Sequence, residues 1–290
     1  MSDNETPRVL VGVDGSEDGL RATRYGAGYA HRTDADLWLV HALDDGVVAG
    51  GWGVIYDPGV LEQAGRAAIN QAVELATARG LDQDRIHADV LVGHPAVILE
   101  ELSHSAQVIV VGRRAATGLE RMFVGSTSTS LAATAACPVI VISQAANPGP
   151  TTTHQKIAVA LGTGRSDKAL RWGCQEARSR GAGLDVIHVM PVQSTSALAL
   201  VNPPSGQTGL REGIKQELER RVQPLREEFA DVQIETHAVI GQPIDQLIAK
   251  SAEVDLLVLS VRTRPITGIA IGGPIRGVLA HASCPVTLIR

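Results

Sequence analysis

Three short segments of the chain carry residue types suited to holding an anion. In the first, Gly12-Val13-Asp14 with Ser16 two residues on, an apolar run ends in a carboxylate. In the second, Val111-Gly112-Arg113-Arg114-Ala115, another apolar run ends in two guanidinium groups. The third, Gly125-Ser126-Thr127-Ser128, opens an Ala-rich stretch with a glycine and three hydroxyls. N–H groups at a helix start lack intrahelical acceptors and favour anions. Gly125 lets backbone come close to a phosphate, the hydroxyls add donors, and Arg113 and Arg114 add charge. Asp14 suits a ribose hydroxyl, or a magnesium ion carried on the phosphates. Alone, each segment also fits a plain turn or a Ser-capped helix. Brought together, they make a site for a phosphorylated ligand.

The elements that would bring them together can be read from the same residues. RVLVGV, from Arg8, is a short strand. Ser16 then caps a helix running to about His31, with Glu17 and Asp18 favourably placed in its first turn. LWLVHAL is the second strand. A loop with Gly46, Gly50, Gly51, Gly53, Pro58 and Gly59 precedes a long helix to about Arg79. IHADVLV is the third strand, and Pro95 starts a short helix, PAVILEELSHSA. VIVVG is the fourth strand; PVIVI is the fifth, after a helix containing SLAATAA. This alternation predicts an α/β fold, a five-stranded parallel sheet with helices on both faces. Ligands of such sheets lie beyond the carboxyl ends of the strands, where the strand order reverses. The segments after strands one and four meet that description.

The whole pattern then repeats. RVLVGV has its counterpart in KIAVAL from Lys156, Arg24-Tyr25 in Arg171-Trp172, and His41 in His188. VGHPAVILEEL matches IGQPIDQLIAK, VIVVG matches LLVLS, and ACPVIVI matches SCPVTLI. The expected domains are residues 1–145 and 156–290, joined by a Pro- and Thr-rich linker, 146–155. The second copy loses the chemistry. Leu161 is read at the place of Asp14, Ser260 replaces Gly112, and Thr263 replaces Ala115. Gly273-Pro274 replaces Ser126-Thr127, and proline has no N–H to offer a phosphate. Gly162-Thr163-Gly164 with Asp185 about 20 residues on mimics a dinucleotide fingerprint. Its third glycine is missing, and it is read as a diverged first turn.

These blocks resemble the universal stress protein family. Its ATP motif, G-x-x-G and then, after nine residues, G-[S/T], is matched by Gly112-x-x-Ala115 and Gly125-Ser126. The opening VGVDGSEDGLRA, the GHP step and the CPVIVI ending are similar to it too, and the layout resembles the two-copy members of actinobacteria. The resemblance implies two tandem Rossmann-like domains of the adenine nucleotide alpha hydrolase type. It also implies ATP bound by Asp14, Gly112, Gly125 and Ser126, with adenine near Val40–Ala42. Ala115 departs from the motif's second glycine. The implied function is that of a nucleotide-dependent regulator of stress or dormancy, acting as a homo-oligomer such as a dimer of tandem chains. The alternatives are a slow ATPase and an interaction protein without ligand. The apolar final strands PVIVI and PVTLI could pair edge to edge.

Composition bounds the rest. The chain has 290 residues, 44% hydrophobic and 20% charged, with only 3% aromatic, so Val, Leu, Ile and Ala must build its core. A net charge of −5 disfavours nucleic acid as partner. No run reaches the ~18 apolar residues of a membrane span. MSDNETPRVL has no basic segment followed by an apolar one, so a cytoplasmic protein is expected. Three separated cysteines are no disulfide framework, and nine scattered histidines have no metal-ligand spacing.

Overall fold

The computed structural model describes residues 6–44, 58–113, 124–143, 153–162, 167–191, 206–261 and 272–290. Its described residues form two compact units, 6–143 and 153–290. In the first, the apolar run Val9-Leu10-Val11 is wholly buried in β1 (Arg8–Gly12). α1 (Glu17–Thr33) starts at Ser16, whose Oγ accepts the Gly19 N–H at 3.1 Å. It ends at Asp34, which takes the left-handed region with φ 51°. The unit continues through β2 (Asp36–Leu43), α2 (Pro58–Thr77), β3 (Ile86–Val92) and α3 (Pro95–Leu102). It closes with β4 (Val108–Gly112), α4 (Ser126–Thr134) and β5 (Val139–Ile142).

The strands pair in parallel in the order β3-β2-β1-β4-β5. The chain moves outward from β1 to β3, returns to β4 and moves the other way, so the order reverses between β1 and β4. α1 packs on β1 and β4 and against α2, which covers β2 and β3; α3 packs on β1 and β2 and against α4. Neighbouring β1 residues show that these are opposite faces. A Cβ on Gly26 of α1 would lie 2.5 Å from Val11 Cγ2, and a Cβ on Gly12 would lie 3.0 Å from Leu99 Cδ1 of α3.

The second unit repeats this order: β6 (Lys156–Ala160), α5 (Asp167–Arg180), β7 (Gly183–Met190), α6 (Gly206–Glu228), β8 (Ile234–Ile240), α7 (Pro243–Ser251), β9 (Leu256–Ser260), α8 (Gly273–His281) and β10 (Val286–Ile289). Its strands run parallel in the order β8-β7-β6-β9-β10. Gly173 of α5 repeats Gly26, since its Cβ would lie 2.4 Å from Val159 Cγ2.

Two element boundaries differ from the sequence reading. Pro58 and Gly59 belong to α2 rather than to the loop before it, because proline's missing N–H and fixed φ suit a first helical turn. α3 stops at Leu102, and Ser103–Ser105 tighten into a 3₁₀ turn instead of prolonging it. The glycine loop 46–53 and most of the linker lie outside the described residues.

Candidate functional site

The β1 exit is fixed by backbone bonds and one histidine. The Val13 N–H donates to the Val40 carbonyl at 2.9 Å, and His41 Nδ1 lies 2.7 Å from the Val13 carbonyl. With its proton on Nδ1, the imidazole donates there. Both backbone groups of Val13 are therefore engaged within the protein. The second unit repeats the clamp: the Leu161 N–H donates to Ile187 at 2.8 Å, and His188 Nδ1 lies 2.7 Å from the Leu161 carbonyl. This register corrects the sequence alignment. Leu161 corresponds to Val13, and the residue at the place of Asp14 is Gly162. The second copy still has no carboxylate there.

Gly15 turns the chain with φ 74°, in the left-handed region. Asp14 Oδ1 then accepts from the Ser16 N–H at 3.0 Å and from Ser16 Oγ at 2.6 Å. The Asp14 side chain is exposed. Gly112 ends β4 beside the same turn. A Cβ there would stand 2.6 Å from the Asp18 carbonyl carbon and 2.7 Å from the Gly19 nitrogen. Packing of β4 against α1 thus requires Gly112 whether or not a ligand binds. The next residue, Arg113, is buried, and its N–H donates to the Ile142 carbonyl at 2.6 Å.

α4 begins at Gly125 without a side-chain cap. Its first intrahelical bond runs from the Thr129 N–H to the Gly125 carbonyl at 3.0 Å. The N–H groups of Ser126, Thr127 and Ser128 precede that bond and are suited to an outside acceptor. Ser126 is exposed, but Ser128 is buried and its hydroxyl donates to the Gly112 carbonyl at 3.2 Å. Ser128 therefore ties α4 to the β4 exit. The structure brings Gly12, Val13, Asp14, Ser16, Val111, Gly112, Arg113 and the start of α4 to one end of the sheet. Val40 and Ala42 stand on β2 beside it. Arg114 and Ala115 lie outside the described residues, as does Thr263 in the second copy.

Sequence reading missed two kinds of residue. Ser103, wholly buried, accepts the Ala136 N–H at 2.9 Å, and Ser251 accepts the Ser283 N–H at the same 2.9 Å. Their matched places in the repeat were the available signal. Asp18, read only as a helix-dipole residue, is 2% exposed. Its Oδ1 accepts from Arg21 Nη1 at 2.7 Å, while Oδ2 is buried with no hydrogen-bond partner among the described residues. Burial pushes the Asp18 carboxyl up, against the pull of Arg21 and Arg113 and with the push of Asp14.

In the second unit Asp185 lies near the start of β7, away from the reversal point. It cannot serve as the acidic residue of a dinucleotide fingerprint. Asp185, Glu235 and His237 converge, with Lys156 Nζ 3.2 Å from Asp185 and 3.4 Å from Glu235, and Lys250 Nζ 2.7 Å from Asp185. Burial would raise the Asp185 carboxyl, but His237 and the lysines outweigh it and hold the group well below the usual range. Burial also pushes the Cys137 and Cys284 thiols up to about 12 and Cys174 to about 11, so none is a thiolate at neutral pH.

The parallel sheet, its reversed strand order and the residues at its carboxyl ends define a doubly wound α/β protein with two copies of one domain. A profile of the universal stress protein family matches residues 5–143 and again 153–290, and the chain belongs to that family. It is 29% identical to a universal stress protein of Mycobacterium tuberculosis strain H37Rv, over 97% of this chain and 96% of that one. A universal stress protein of Mycolicibacterium smegmatis is 30% identical over the same shares, 97% and 96%. Among solved structures, a universal stress protein from Archaeoglobus fulgidus has the same fold: TM-score 0.71 at 17% identity, covering 98% of this chain and 96% of that one. No helix among the described residues is long and apolar enough to cross a membrane.

Proposed function

We propose that this universal stress protein binds ATP through its first copy and acts as a nucleotide-dependent regulator rather than as a fast enzyme. One observation carries the reading. The exposed Asp14 at the β1 exit and the uncapped start of α4, tied to the β4 exit by the Ser128 bond to Gly112, lie at the end of the sheet where the strand order reverses. The carboxylate is a ribose acceptor, and the α4 N–H groups and the Ser126 and Thr127 hydroxyls are phosphate donors. The residues fit the group: an exposed carboxylate offers an acceptor, and a helix start with no side-chain cap and an exposed Ser126 offers donors. ATP would supply the signal by stabilising the bound form, by about 2.7 kcal/mol at a hundred times its dissociation constant. Asp14 is the one sequence-read carboxylate beside the cradle, and no P-loop is present, so turnover is not its expected role. Equilibrium titration of the purified chain with ATP, beside acid extraction of co-purified nucleotide, tests the reading. Saturable binding of ATP is the expected result; the absence of any binding would remove it.

A further inference from the structure

The start of α4 is held differently from the starts of α1 and α3. In α1, Ser16 Oγ accepts the Gly19 N–H at 3.1 Å, and in α3, His94 Nδ1 accepts the Ala96 N–H at 3.3 Å. Each of these caps takes up one of the N–H groups that a helix start leaves over. Gly125 makes no side-chain cap and takes up none. The fixture of α4 is its third residue. Ser128 is 2% exposed, and its hydroxyl donates to the Gly112 carbonyl at 3.2 Å. Its own N–H precedes the first intrahelical bond, Thr129 N–H to Gly125 carbonyl, at 3.0 Å. Gly112 is itself pinned, since a Cβ there would stand 2.7 Å from the Gly19 nitrogen of α1. In the second copy α8 opens in the same way: the Arg276 N–H donates to the Gly272 carbonyl at 3.3 Å, and Gly272 has the backbone angles of Gly125. Ile275 stands there at the place of Ser128. A helix start of this shape therefore forms without the hydroxyl.

We propose that Ser128 is a positioning residue of the phosphate site in the first copy: its side chain anchors the first turn of α4 to the β4 exit and leaves the N–H groups of that turn to the ligand. The proposal rests on the nucleotide reading above. It gives the hydroxyl an indirect part, because the group is buried and spent on Gly112. A side-chain cap at residue 125 would also hold the helix start, but at the loss of one donor. Without the anchor, the turn is free to move relative to the β4 exit, and the donors lose their fixed aim. That loss is felt by phosphates. Ribose and base, read at the β1 and β2 exits, do not feel it.

The test uses the full chain and five proteins: the parent, Ser128→Ala, Ser128→Cys, Ser128→Thr and, as a control in the second copy, Ile275→Ala. Each is titrated with ATP and with adenosine at neutral pH. Ser128→Ala, and Ser128→Cys with its weak thiol donor, should each weaken ATP binding roughly tenfold, the size of one hydrogen bond. Adenosine binding should stay at the parent's level in both. Ser128→Thr keeps the hydroxyl and should keep the parent's affinity for ATP. Ile275→Ala loosens the start of α8 and should leave ATP affinity unchanged. Unchanged ATP binding by Ser128→Ala, an equal loss for ATP and adenosine, or a loss as large from Ile275→Ala would each overturn the proposal. Should the extra methyl of threonine unfold the chain, the contrast between ATP and adenosine in the other two variants decides alone. Circular dichroism reports the fold of each variant; if Ser128→Ala and Ser128→Cys are both unfolded, the hydroxyl is structural and the proposal fails. If the parent binds neither ligand, the nucleotide reading itself falls and the proposal with it.

Discussion

Asp14 and Asp18 lie one helical turn apart in sequence and in opposite surroundings. Asp14 is exposed, its Oδ1 already committed to Ser16. Its removal should touch the ligand more than the fold, since the Gly19 N–H keeps its cap on Ser16 Oγ at 3.1 Å. Asp14→Ala is expected to weaken ATP binding by about 1.5–3 kcal/mol, the worth of a hydrogen bond to a charged group. Calorimetric titration measures this, and unchanged affinity would take Asp14 out of the site. Asp18 should act on stability instead. Burial raises its carboxyl, so the folded state prefers the protonated form and loses stability as pH rises through the folded-state value. Asp18→Asn, held neutral, should melt higher than the parent at pH 7. The gap should close as the pH falls into the range where Asp18 is protonated in both states. Thermal melts across that range check the sign, and a variant that melts lower at pH 7 would contradict it.

At the scale of elements, close approach of helix to strand is the shared device. Gly26 and Gly173 let α1 and α5 lie against Val11 and Val159, at hypothetical Cβ distances of 2.5 and 2.4 Å. Gly26→Ala and Gly173→Ala should each destabilise their own unit by about 1–3 kcal/mol, as overpacking does. Denaturant unfolding of each variant would show a lowered midpoint; an unmoved midpoint would mean that the helix shifts at no cost. Much of this architecture was legible. VIVVG and RVLVGV are apolar along their whole length because they are central strands buried on both faces. Ser16 and Pro95 marked helix starts through chemistry that is local. The start of α2 was misread because Pro58-Gly59 suits a loop as well as a first turn. In the candidate site, the placement of Asp14, Gly112 and Ser126 at strand and helix ends could be read from type and spacing. The buried roles of Asp18, Ser103 and Ser128 could not, because each depends on which distant backbone group packs against it. The Leu161 misplacement was a one-residue slip that only strand register could settle.

For the molecule as a whole, two copies of one fold carry unequal chemistry, and the inequality gathers at one end of each sheet. The exits of β1 and β6 are built alike, down to the histidine 2.7 Å from a carbonyl. One residue further on they part, with Asp14 in the first copy and Gly162 in the second. α4 opens with Ser126-Thr127 and α8 with Gly273-Pro274, although Gly125 and Gly272 share the same backbone angles, φ −57° and ψ 149°. The second copy therefore preserves the shape of the helix start while losing an N–H donor and two hydroxyls. It also carries Ser260 where the first copy needs a glycine. Losing donors and a ribose acceptor together should cost a polyphosphate a few kcal/mol, a hundredfold or more in affinity. The expected outcome is one ATP bound per chain, and none retained at comparable concentration once Asp14→Ala has weakened the first site. Titration of both full-length proteins gives stoichiometry and affinity together. Two equal sites in the parent, or an unchanged high-affinity site in Asp14→Ala, would place ATP in the second copy and refute the asymmetry.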